Sequence, residues 1–506
     1  MGNFLTSVFH NTRILILVLV LLFLLPRIFN LGNDISNSDA FRWHLRSENF
    51  LSALKSGDFK TTYQRYHPGV TIMWIGAAAS QFLNEYQQMS GTEVKTLKNA
   101  DFYPQLHALS KLFVLALLTL CFAVQLSLVV SLTDAKTAVI YGVIVSLEPY
   151  LVGISRWFHL TSMEAFFAFT ALLLALQYLK SRKLIYIVFA GIFSGLGILT
   201  KMTVLISAVF ISGLLLHSIV KKKIKFLPVV VYAVSALFTI FLLFPALWTS
   251  TVFVGAKMYE ALFNAVTADP RGDIFGIFHK AFFYPITLAF KMTPVTAAVG
   301  LYSFISAIRK KDKLSFSIIL YFVLVMVLLT VSDQKIDRYS VALFLPIAFL
   351  ISRTLSQFRR NQLLFTFGLY IIFFFHAVFV YHPVYSAYVS PLFPYKFVLN
   401  AGFYENSGEY FADAARYINS KGRDTTVFVP NNIDAFSPYY KGKFSIDIIG
   451  ADYLVGSLDF DRPRFPDLPG CSVDKTFGNR QYQPVAVYKC EVKKLPEINF
   501  NDFIVY

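Results

Sequence analysis

The stretch that decides the fold runs from Leu112 to Leu132 and reads LFVLALLTLCFAVQLSLVVSL, without one charged residue. A helix of about 20 apolar residues crosses the hydrocarbon core of a bilayer, which is about 30 Å thick. Ten further runs share this character, so the sequence predicts an all-α polytopic bundle of about eleven membrane-spanning helices. The other ten runs are Ile14–Leu31, Ala138–Ile154, Leu160–Leu179, Leu184–Leu199, Met202–Val220, Phe226–Leu247, Pro285–Ile308, Phe316–Val331, Tyr339–Ser356 and Leu363–Tyr381.

The composition also indicates that lipid surrounds much of the chain. Of 506 residues, 56% are hydrophobic and 15% are charged, whereas soluble domains have about 45–50% and about 25%. The mean hydropathy is +0.56. A formal net charge of +16 would suggest nucleic acid in a soluble protein. Here the loops explain it better, so no nucleic-acid partner is expected.

Nearly every basic cluster falls in every second loop, although the loop near Asp134 and Lys136 is neutral. If the N-terminus is cytoplasmic, the inside loops contain four basic clusters, as the positive-inside rule requires. An odd number of spans then places the C-terminal part outside. We therefore expect a multi-pass protein of the plasma (inner) membrane. The clusters are Lys180–Lys183, Lys221–Lys225, Arg309–Lys313 and Arg353–Arg360.

The chain is expected to form two domains. Residues 1–385 make the membrane domain, with long outside loops at about 32–107 and 249–284. After Tyr381 the composition changes. Residues 386–506 are therefore expected to form a small water-facing α/β domain.

Local patterns predict elements in the water-exposed parts. Ala40–Leu54 is amphipathic, as in a helix that lies at a membrane interface, and the apolar Val70–Gly76 is expected to dip into the membrane surface. In the C-terminal domain, Ser407–Asn419 predicts a helix, while Thr425–Val429 and Phe444–Ile449 predict strands.

Three cysteines occur. Cys121 lies in an apolar run and is expected to be an inert core residue. Cys471 and Cys490 both lie in the C-terminal domain and can form a disulfide in an oxidising compartment. Their spacing leaves this pairing open.

Ionisable residues also gather at the helix ends that this topology places outside. Such groups are costly at membrane depth and are usually functional. One carboxylate facing several cations predicts a site for an anionic, lipid-linked substrate. Cations there hold a phosphate, and the carboxylate accepts a proton from an attacking hydroxyl. The residues are Asp39, His67, Arg156, His159, Lys201 and Arg338.

Several candidates also have a structural interpretation that the sequence leaves open. Arg156 is able to snorkel at a helix end, and Arg338 can pair with Asp337 on the surface. Asp39 suits the N-cap of the helix that follows, and His67 suits an ordinary loop.

Metal binding stays unknown at this stage. Asp34 and Asp39, with His44 or His67, supply ligand types for a divalent cation, but their spacing matches no tight ligand motif. No Gly-rich phosphate loop, Walker motif or Rossmann fingerprint is visible in the sequence. This argues against an ATP-driven pump and against a soluble type of nucleotide-sugar enzyme.

At these residues the sequence resembles the large membrane glycosyltransferases of the GT-C fold, close to the group of dolichyl-phosphate-mannose–protein mannosyltransferases and aminoarabinose transferases. The resemblance covers nearly the whole chain in order. Two positions depart from the family pattern, since Ala40 stands in place of Glu and Thr161 in place of Asp. The matching motifs are Asp39 in the first outside loop, His67-Pro68, Ser155-Arg156-Trp157-Phe158-His159-Leu160, Leu199-Thr200-Lys201 and Lys335-Ile336-Asp337-Arg338-Tyr339.

The resemblance implies an inverting transfer of one sugar from a polyprenyl-phosphate carrier to an acceptor outside the cytoplasm. The acceptor class, whether protein, lipid or glycan, stays open. Asp39 is then the general base or the carboxylate that orients the acceptor. The residues implied for the donor phosphate are His67, Arg156, His159, Lys201, Arg338 and Tyr339.

Two other functions compete with this one. A transporter or flippase of lipid-linked saccharides would be expected to show repeat symmetry and helices broken at the midplane, and no internal repeat is evident in the sequence. An oligosaccharide ligase of the same fold would transfer a whole glycan.

Overall fold

The computed structural model describes residues 12–491 apart from Tyr66, Val94, Lys98, residues 268–275, Lys311, Asp333, Phe460, Asp461 and Pro463. Within these residues it contains nineteen α-helices and one five-stranded sheet. The helices are α1 Thr12–Leu24, α2 Ala40–Ser56, α3 Val70–Met89, α4 Tyr103–Leu132, α5 Ala135–Leu147, α6 Pro149–Ser155, α7 Leu160–Ser181, α8 Leu184–Thr200, α9 Leu205–Val220, α10 Leu227–Leu243, α11 Ala246–Thr267, α12 Ile277–Lys291, α13 Pro294–Lys310, α14 Lys313–Val331, α15 Val341–Leu355, α16 Arg360–Tyr381, α17 Tyr395–Asn400, α18 Phe411–Asn419 and α19 Ile433–Phe436. The strands are β1 Thr426–Phe428, β2 Lys443–Phe444, β3 Tyr453–Ser457, β4 Cys471–Phe477 and β5 Val485–Cys490.

The apolar helices confirm a polytopic membrane fold. Among the described residues, six helices are long and apolar enough to cross a membrane, or up to eight if two bent pairs each count as one span. The helices α1 and α8 are shorter but also apolar. Every predicted run contains a helix, while the count of about eleven spans remains a prediction.

Prolines divide two of the predicted runs. Ala138–Ile154 splits into α5 and α6, which meet at 67° just before Pro149. Phe226–Leu247 ends its first helix before Pro245, and the chain then turns by 108° into α11. The cause is local, because proline lacks a backbone N–H and disfavours helical backbone at the residue before it.

A third run, Pro285–Ile308, was expected to be one span and is also two helices. The helix α12 ends at Lys291, and Met292 is extended, with φ −90° and ψ 150°. Pro294 follows and begins α13. Pro285 itself lies inside α12, so only the second proline breaks this run.

Two of these breaks meet inside the bundle. The buried Glu148, between α5 and α6, accepts a hydrogen bond from the backbone N of Thr293 at 2.7 Å. The hydroxyl of Thr296 donates to the same carboxylate. The carboxylate thus satisfies a backbone donor that the break would otherwise leave unpaired.

The centre of the bundle is α7. An 18-residue apolar window of this helix is entirely buried. It packs against α4, α8 and α15. Since the first turn of α7 follows His159, this buried helix fixes the position of the candidate site residue.

Several of the loops that the sequence predicts to be inside lie together. Lys136 donates to the carbonyl of Ser356 at 2.6 Å, and Arg353 pairs with Asp312 at 3.1 Å. The contacts place these predicted inside loops together, whereas the full topology and its orientation in a cell stay predictions.

The first long loop is largely helical. The helix α2 confirms the helix predicted from the amphipathic pattern of Ala40–Leu54. The apolar segment Val70–Gly76 forms the start of α3, a helix longer than that segment. The two helices pack against each other.

The C-terminal region contains a sheet of order β2-β1-β3-β5-β4. Strand β1 is parallel to both β2 and β3, and β5 is antiparallel to β3 and β4. This mixed sheet with α18 and α19 confirms the α/β class.

Two predicted elements in this region were too long. The helix begins at Phe411 rather than Ser407, because Tyr410 has left-handed backbone with φ 69°. The strand predicted over Phe444–Ile449 is wrong beyond Phe444, because the carboxylate of Asp447 accepts a bond from the N–H of Ile449 at 2.9 Å, a turn that ends the extended chain.

The cysteine pairing left open by the sequence is formed. Cys471 and Cys490 face each other on the antiparallel strands β4 and β5 and are joined by a disulfide. Cys121 is buried and free, as expected for a core residue.

Candidate active site

One cavity brings together six of the seven sequence-predicted site residues. It has a volume of about 430 Å³ and lies at one end of the membrane bundle, where several helices begin or end. The residues that line it are Asp39, Arg42, Trp43, Arg46, Arg65, His67, His159, Leu160, Lys201, Gln334, Ile336, Arg338, Tyr339 and Glu405.

Asp39 precedes α2, but its carboxylate does not cap that helix. The backbone of Asp39 is helical, with φ −90° and ψ −18°, and its side chain makes no capping hydrogen bond. The carboxylate points into the cavity and is 34% exposed. The simple N-cap interpretation therefore does not account for this side chain.

Two neighbours hold one oxygen of the Asp39 carboxylate. His159 Nε2 lies 3.3 Å from Asp39 Oδ2, and Arg338 Nη2 lies 3.1 Å from the same atom. Burial alone would raise the pKa of Asp39, but the hydrogen bond from His159 and the charge of Arg338 hold it well below its usual range. Asp39 is therefore a carboxylate at neutral pH.

Thr161 sets the tautomer of His159. The backbone N–H of Thr161 donates to His159 Nδ1 at 3.2 Å, and the Thr161 hydroxyl lies 2.9 Å from the same nitrogen. Because Nδ1 accepts, the neutral ring carries its proton on Nε2, facing Asp39. Burial lowers the pKa of His159, which favours this neutral form. A threonine thus orients the imidazole at the position where the resembling family has Asp.

Arg338 connects the two parts of the chain. It lies in a short helical turn, Asp337–Ser340, just before α15. Its Nη1 donates to the hydroxyl of Ser407 at 3.1 Å, while Nη2 binds Asp39. Asp337, one residue earlier, pairs with the buried Lys291 at 3.0 Å. These contacts fix the guanidinium beside the carboxylate.

Lys201 follows the C-terminus of α8, where the helix dipole favours a cation. Its ammonium lies 3.1 Å from Glu164 Oε1 and 3.7 Å from the centroid of the Tyr339 ring. Glu164 also accepts a bond from the hydroxyl of Thr203 at 2.5 Å. The carboxylate therefore occupies a position at Lys201 that an anionic ligand would compete for.

His67 also lines the cavity, just before α3. Burial, together with the charges of Lys201 and Arg65, lowers its pKa to about 3. The imidazole is therefore neutral in the free protein and offers a hydrogen bond rather than a charge.

Arg156 is the predicted site residue that the cavity does not include. Its guanidinium is buried and pairs with Asp34 at 2.8 Å, and it also donates to the carbonyls of Pro26 and Phe29. Asp34 pairs with Lys111 at 2.7 Å as well. The side chain thus ties the end of the first helix to the bundle, and we do not assign it to the donor phosphate.

The metal interpretation finds no support in this arrangement. Both oxygens of Asp34 are bound by Lys111 and Arg156, and Asp34 does not line the cavity with Asp39. In the part of the chain that the structure describes, no group of three or more His, Cys, Asp or Glu side chains is placed to hold a metal ion.

The structure adds residues that the motifs did not select. Arg42 and Arg46 are one turn apart on α2, a spacing that puts both on one helix face, so this pair was detectable from the sequence. Arg65 lies two residues before His67. Glu405 comes from the C-terminal region, where no local pattern marks it.

The charge of the cavity is predominantly positive. Among the described residues that line it, five are Lys or Arg and two are carboxylates. A second, apolar groove begins beside it and shares Lys201 and Tyr339 with it. The remaining residues of this groove are Glu164, Ala165, Ala168, Thr203, Val204, Ser207, Tyr321, Val325, Leu328, Leu329 and Ala342.

Comparison with known proteins gives similarity only at the level of structure. No protein-family model matches the chain, and no curated protein matches it either. The structure of ArnT from Cupriavidus metallidurans in the apo state is similar, with a TM-score of 0.50 and 12% identity over 84% of this chain and 73% of that one. The same protein bound to undecaprenyl phosphate has a TM-score of 0.50 and 12% identity over 96% and 99%.

An oligosaccharyltransferase of Archaeoglobus fulgidus, in complex with zinc and sulfate, has a TM-score of 0.49 and 14% identity over 88% of this chain and 68% of that one. At these identities a likeness concerns the fold. The ArnT comparison therefore shows that the fold of nearly the whole chain, including its C-terminal region, is similar to a known architecture.

Proposed function

Because the chain has the GT-C fold of membrane glycosyltransferases, we propose that it transfers a sugar from a polyprenyl-phosphate donor to an acceptor outside the cytoplasm, with inversion at the anomeric carbon. The observation that carries the proposal is the cationic cavity around Asp39, which shares Lys201 and Tyr339 with an apolar groove. A lipid-linked phosphate needs both surfaces side by side.

The donor phosphate is assigned to the side of the cavity nearest the groove. Lys201 and Tyr339 lie where the charged and the apolar surfaces join. Arg338 is adjacent, and the imidazoles of His67 and His159 line the same cavity. A polyprenyl chain along the groove would place its phosphate at Lys201, in exchange for Glu164. ArnT, which shares the fold, has been observed with undecaprenyl phosphate.

The proposed reaction is a single displacement. The acceptor hydroxyl oxygen attacks the anomeric carbon as the bond from that carbon to the phosphate oxygen breaks. The electron pair leaves with polyprenyl phosphate, whose developing charge Lys201 and Arg338 stabilise. The acceptor proton passes to Asp39. Since the low pKa makes Asp39 a weak base, the proton moves late, when bonding to an oxocarbenium-like carbon has made the hydroxyl acidic.

The cellular arrangement belongs to the same proposal. The chain is a multi-pass membrane protein by its helices and its fold. We propose that the N-terminus is cytoplasmic and that the end containing Asp39 faces away from the cytoplasm in the plasma (inner) membrane. The disulfide between Cys471 and Cys490 supports this side, because disulfides persist in oxidising compartments.

A test of the donor site does not require knowledge of the sugar. Full-length protein in nanodiscs is titrated with undecaprenyl phosphate and, as the neutral control, with undecaprenol. We expect preference for the phosphate in the wild type. Lys201→Met is expected to weaken binding roughly 10- to 100-fold, the value of a hydrogen bond to a charged group.

The matched variant is Glu164→Gln. It removes the carboxylate that competes for Lys201 while keeping the size of the side chain, so it is expected to bind undecaprenyl phosphate at least as tightly as the wild type. Equal affinity of the wild type for undecaprenol and undecaprenyl phosphate would contradict the proposed donor.

A further inference from the structure

A second cavity lies on the other side of Asp39, between the membrane bundle and the C-terminal sheet. Its volume is about 410 Å³, within the range of about 300–1,000 Å³ for small-molecule sites. It shares Asp39, Arg42 and Glu405 with the first cavity. The Asp39 carboxylate therefore lies where the two cavities meet.

The lining of the second cavity is unlike that of the first. Among the described residues that line it, four are carboxylates, two are arginines and three are asparagines, and the apolar ones are Pro430 and Ile433. An excess of carboxylates disfavours a phosphate. The full set is Ser38, Asp39, Arg42, Glu405, Asn406, Pro430, Asn431, Asn432, Ile433, Asp434, Ser457, Asp459 and Arg462.

The position of this cavity in the sheet also indicates a ligand site. Residues 430–434 follow β1 after Val429, and Ser457 and Asp459 lie at the end of β3. Strands β1 and β3 are parallel neighbours, and β2 lies on the other side of β1. After β1 the chain forms β2 on one side of β1, and it then forms β3 on the other side of β1. In open α/β sheets, ligands bind beyond the carboxyl ends of strands at such a switch point.

Local contacts hold the cavity wall in place. Arg42 Nε donates to Asp434 Oδ2 at 2.6 Å, and the backbone N of Ser38 donates to the carbonyl of Ser407 at 2.8 Å. Asn432 has left-handed backbone with φ 55°, and its amide donates to the carbonyl of Asn406 at 3.3 Å. The polar side chains are therefore ordered before a ligand arrives.

Asn406 supplies a further sign of an incomplete polar network. It is 3% exposed, and its Oδ1 accepts from the backbone N of Gly408 at 2.8 Å. Its Nδ2 has no hydrogen-bond partner among the described residues. A buried donor without a partner costs about 1–3 kcal/mol, and a ligand oxygen in this cavity is able to satisfy it.

From this arrangement we infer that the second cavity binds the acceptor, and that the acceptor is a carbohydrate. The inference rests on the proposed function. A sugar hydroxyl both donates and accepts a hydrogen bond, as do the amides, carboxylates and guanidinium groups of the lining taken together. A peptide would be bound by apolar pockets or by pairing with the free edge of a strand. The strands next to this cavity, β1 and β3, have no free edge, because each pairs with a strand on both sides. Asp39 then faces a bound sugar hydroxyl.

The test measures binding of soluble hexasaccharides of glucose, mannose, galactose and N-acetylglucosamine to full-length protein in nanodiscs. A Ser- and Asn-rich peptide of similar mass is the comparison ligand. We expect at least one hexasaccharide to bind and the peptide not to bind. Asn432→Gly, which keeps the positive φ, and Asp459→Asn are each expected to weaken that binding at least tenfold.

Matched controls are available outside both cavities. Asn30 also has positive φ, 58°, and is exposed, so Asn30→Gly reproduces the backbone change. The exposed Asp424→Asn reproduces the loss of charge. Both are expected to bind as the wild type does. Binding of the peptide alone, of no hexasaccharide, or equal loss in the controls would overturn the carbohydrate site.

Undecaprenyl phosphate binding in the same samples separates the two proposals. If the lipid binds and no hexasaccharide does, the acceptor inference fails and the donor site stands. If a hexasaccharide binds in the second cavity and the lipid does not, the proposed function fails and the sugar site stands.

Discussion

The charge state of Asp39 is decided by its neighbours. His159 and Arg338 both hold Oδ2, so protonating the carboxyl would break two favourable contacts. This is why the pKa of Asp39 lies below its usual range although burial acts in the opposite direction. A carboxylate held in this way remains charged until the solution is strongly acidic. In the proposed reaction it orients the acceptor hydroxyl before it takes the proton.

A pH profile follows from this state. A carboxyl group with a lowered pKa is charged, and here active, above that pKa. The charged form is lost only as the pH falls through the lowered pKa. We therefore expect kcat/KM for release of polyprenyl phosphate to show no acid limb from Asp39 above about pH 4, the ordinary range of an aspartate. The measurement is the release rate from pH 4.5 to 8.

Glu409 requires a control in that profile. Burial raises its pKa to about 6, and it accepts a bond from the backbone N of Ser407, which also binds Arg338. A limb near pH 6 that disappears in Glu409→Gln belongs to Glu409. A limb near pH 6 that persists in this variant would contradict the state assigned to Asp39.

For single residues, the sequence predicts which side chains are charged and lie at helix ends better than it predicts which residues they contact. Asp39, His67, His159, Lys201, Arg338 and Tyr339 were all predicted and all line one cavity. Arg156 has the same residue type and the same predicted position at a helix end, but it faces Asp34 inside the bundle. The contact between Arg156 and Asp34 joins residues 122 positions apart, and no local pattern encodes it.

The helices are predicted well in position and less well in continuity. Hydropathy locates apolar segments, whereas a proline within a segment determines where the backbone turns. Pro149 and Pro294 both break predicted spans, while Pro285 and Pro346 lie inside helices. A helix can end at a proline when a neighbour satisfies the backbone groups that the break leaves unpaired. Glu148 does this for the backbone N–H of Thr293.

Glu148→Ala is expected to destabilise the folded protein. It leaves the buried N–H of Thr293 and two threonine hydroxyls with one partner fewer, a loss of about 1–3 kcal/mol for each buried donor without a partner. The apparent melting temperature in detergent should fall by several degrees. Glu85→Ala, on the exposed face of α3, is the control, and an equal effect of the two substitutions would contradict the role of Glu148.

The whole molecule combines an apolar groove, a cationic cavity and a polar cavity around one carboxylate. The sequence predicted the fold class, the α/β domain and the grouping of cations at one end, because hydropathy and charge order are properties of the chain alone. It did not predict the second cavity. That cavity forms only when the loops after β1 and β3 meet the loop before α2, a contact between residues almost 400 positions apart, such as Arg42 and Asp434.

If the carboxylate of Asp39 serves sugar transfer at the junction of the two cavities, removing its charge must slow release of the carrier. The most direct test is the single-turnover release of free polyprenyl phosphate from a polyprenyl-phosphate sugar by wild type, Asp39→Asn and the control Asp424→Asn. We predict release by the wild type and the control, and a loss of roughly a few hundredfold in Asp39→Asn, about 3–4 kcal/mol of barrier, with undecaprenyl phosphate still bound. Full rate in Asp39→Asn, or flipping of the lipid in liposomes without release by the wild type, would contradict the claim.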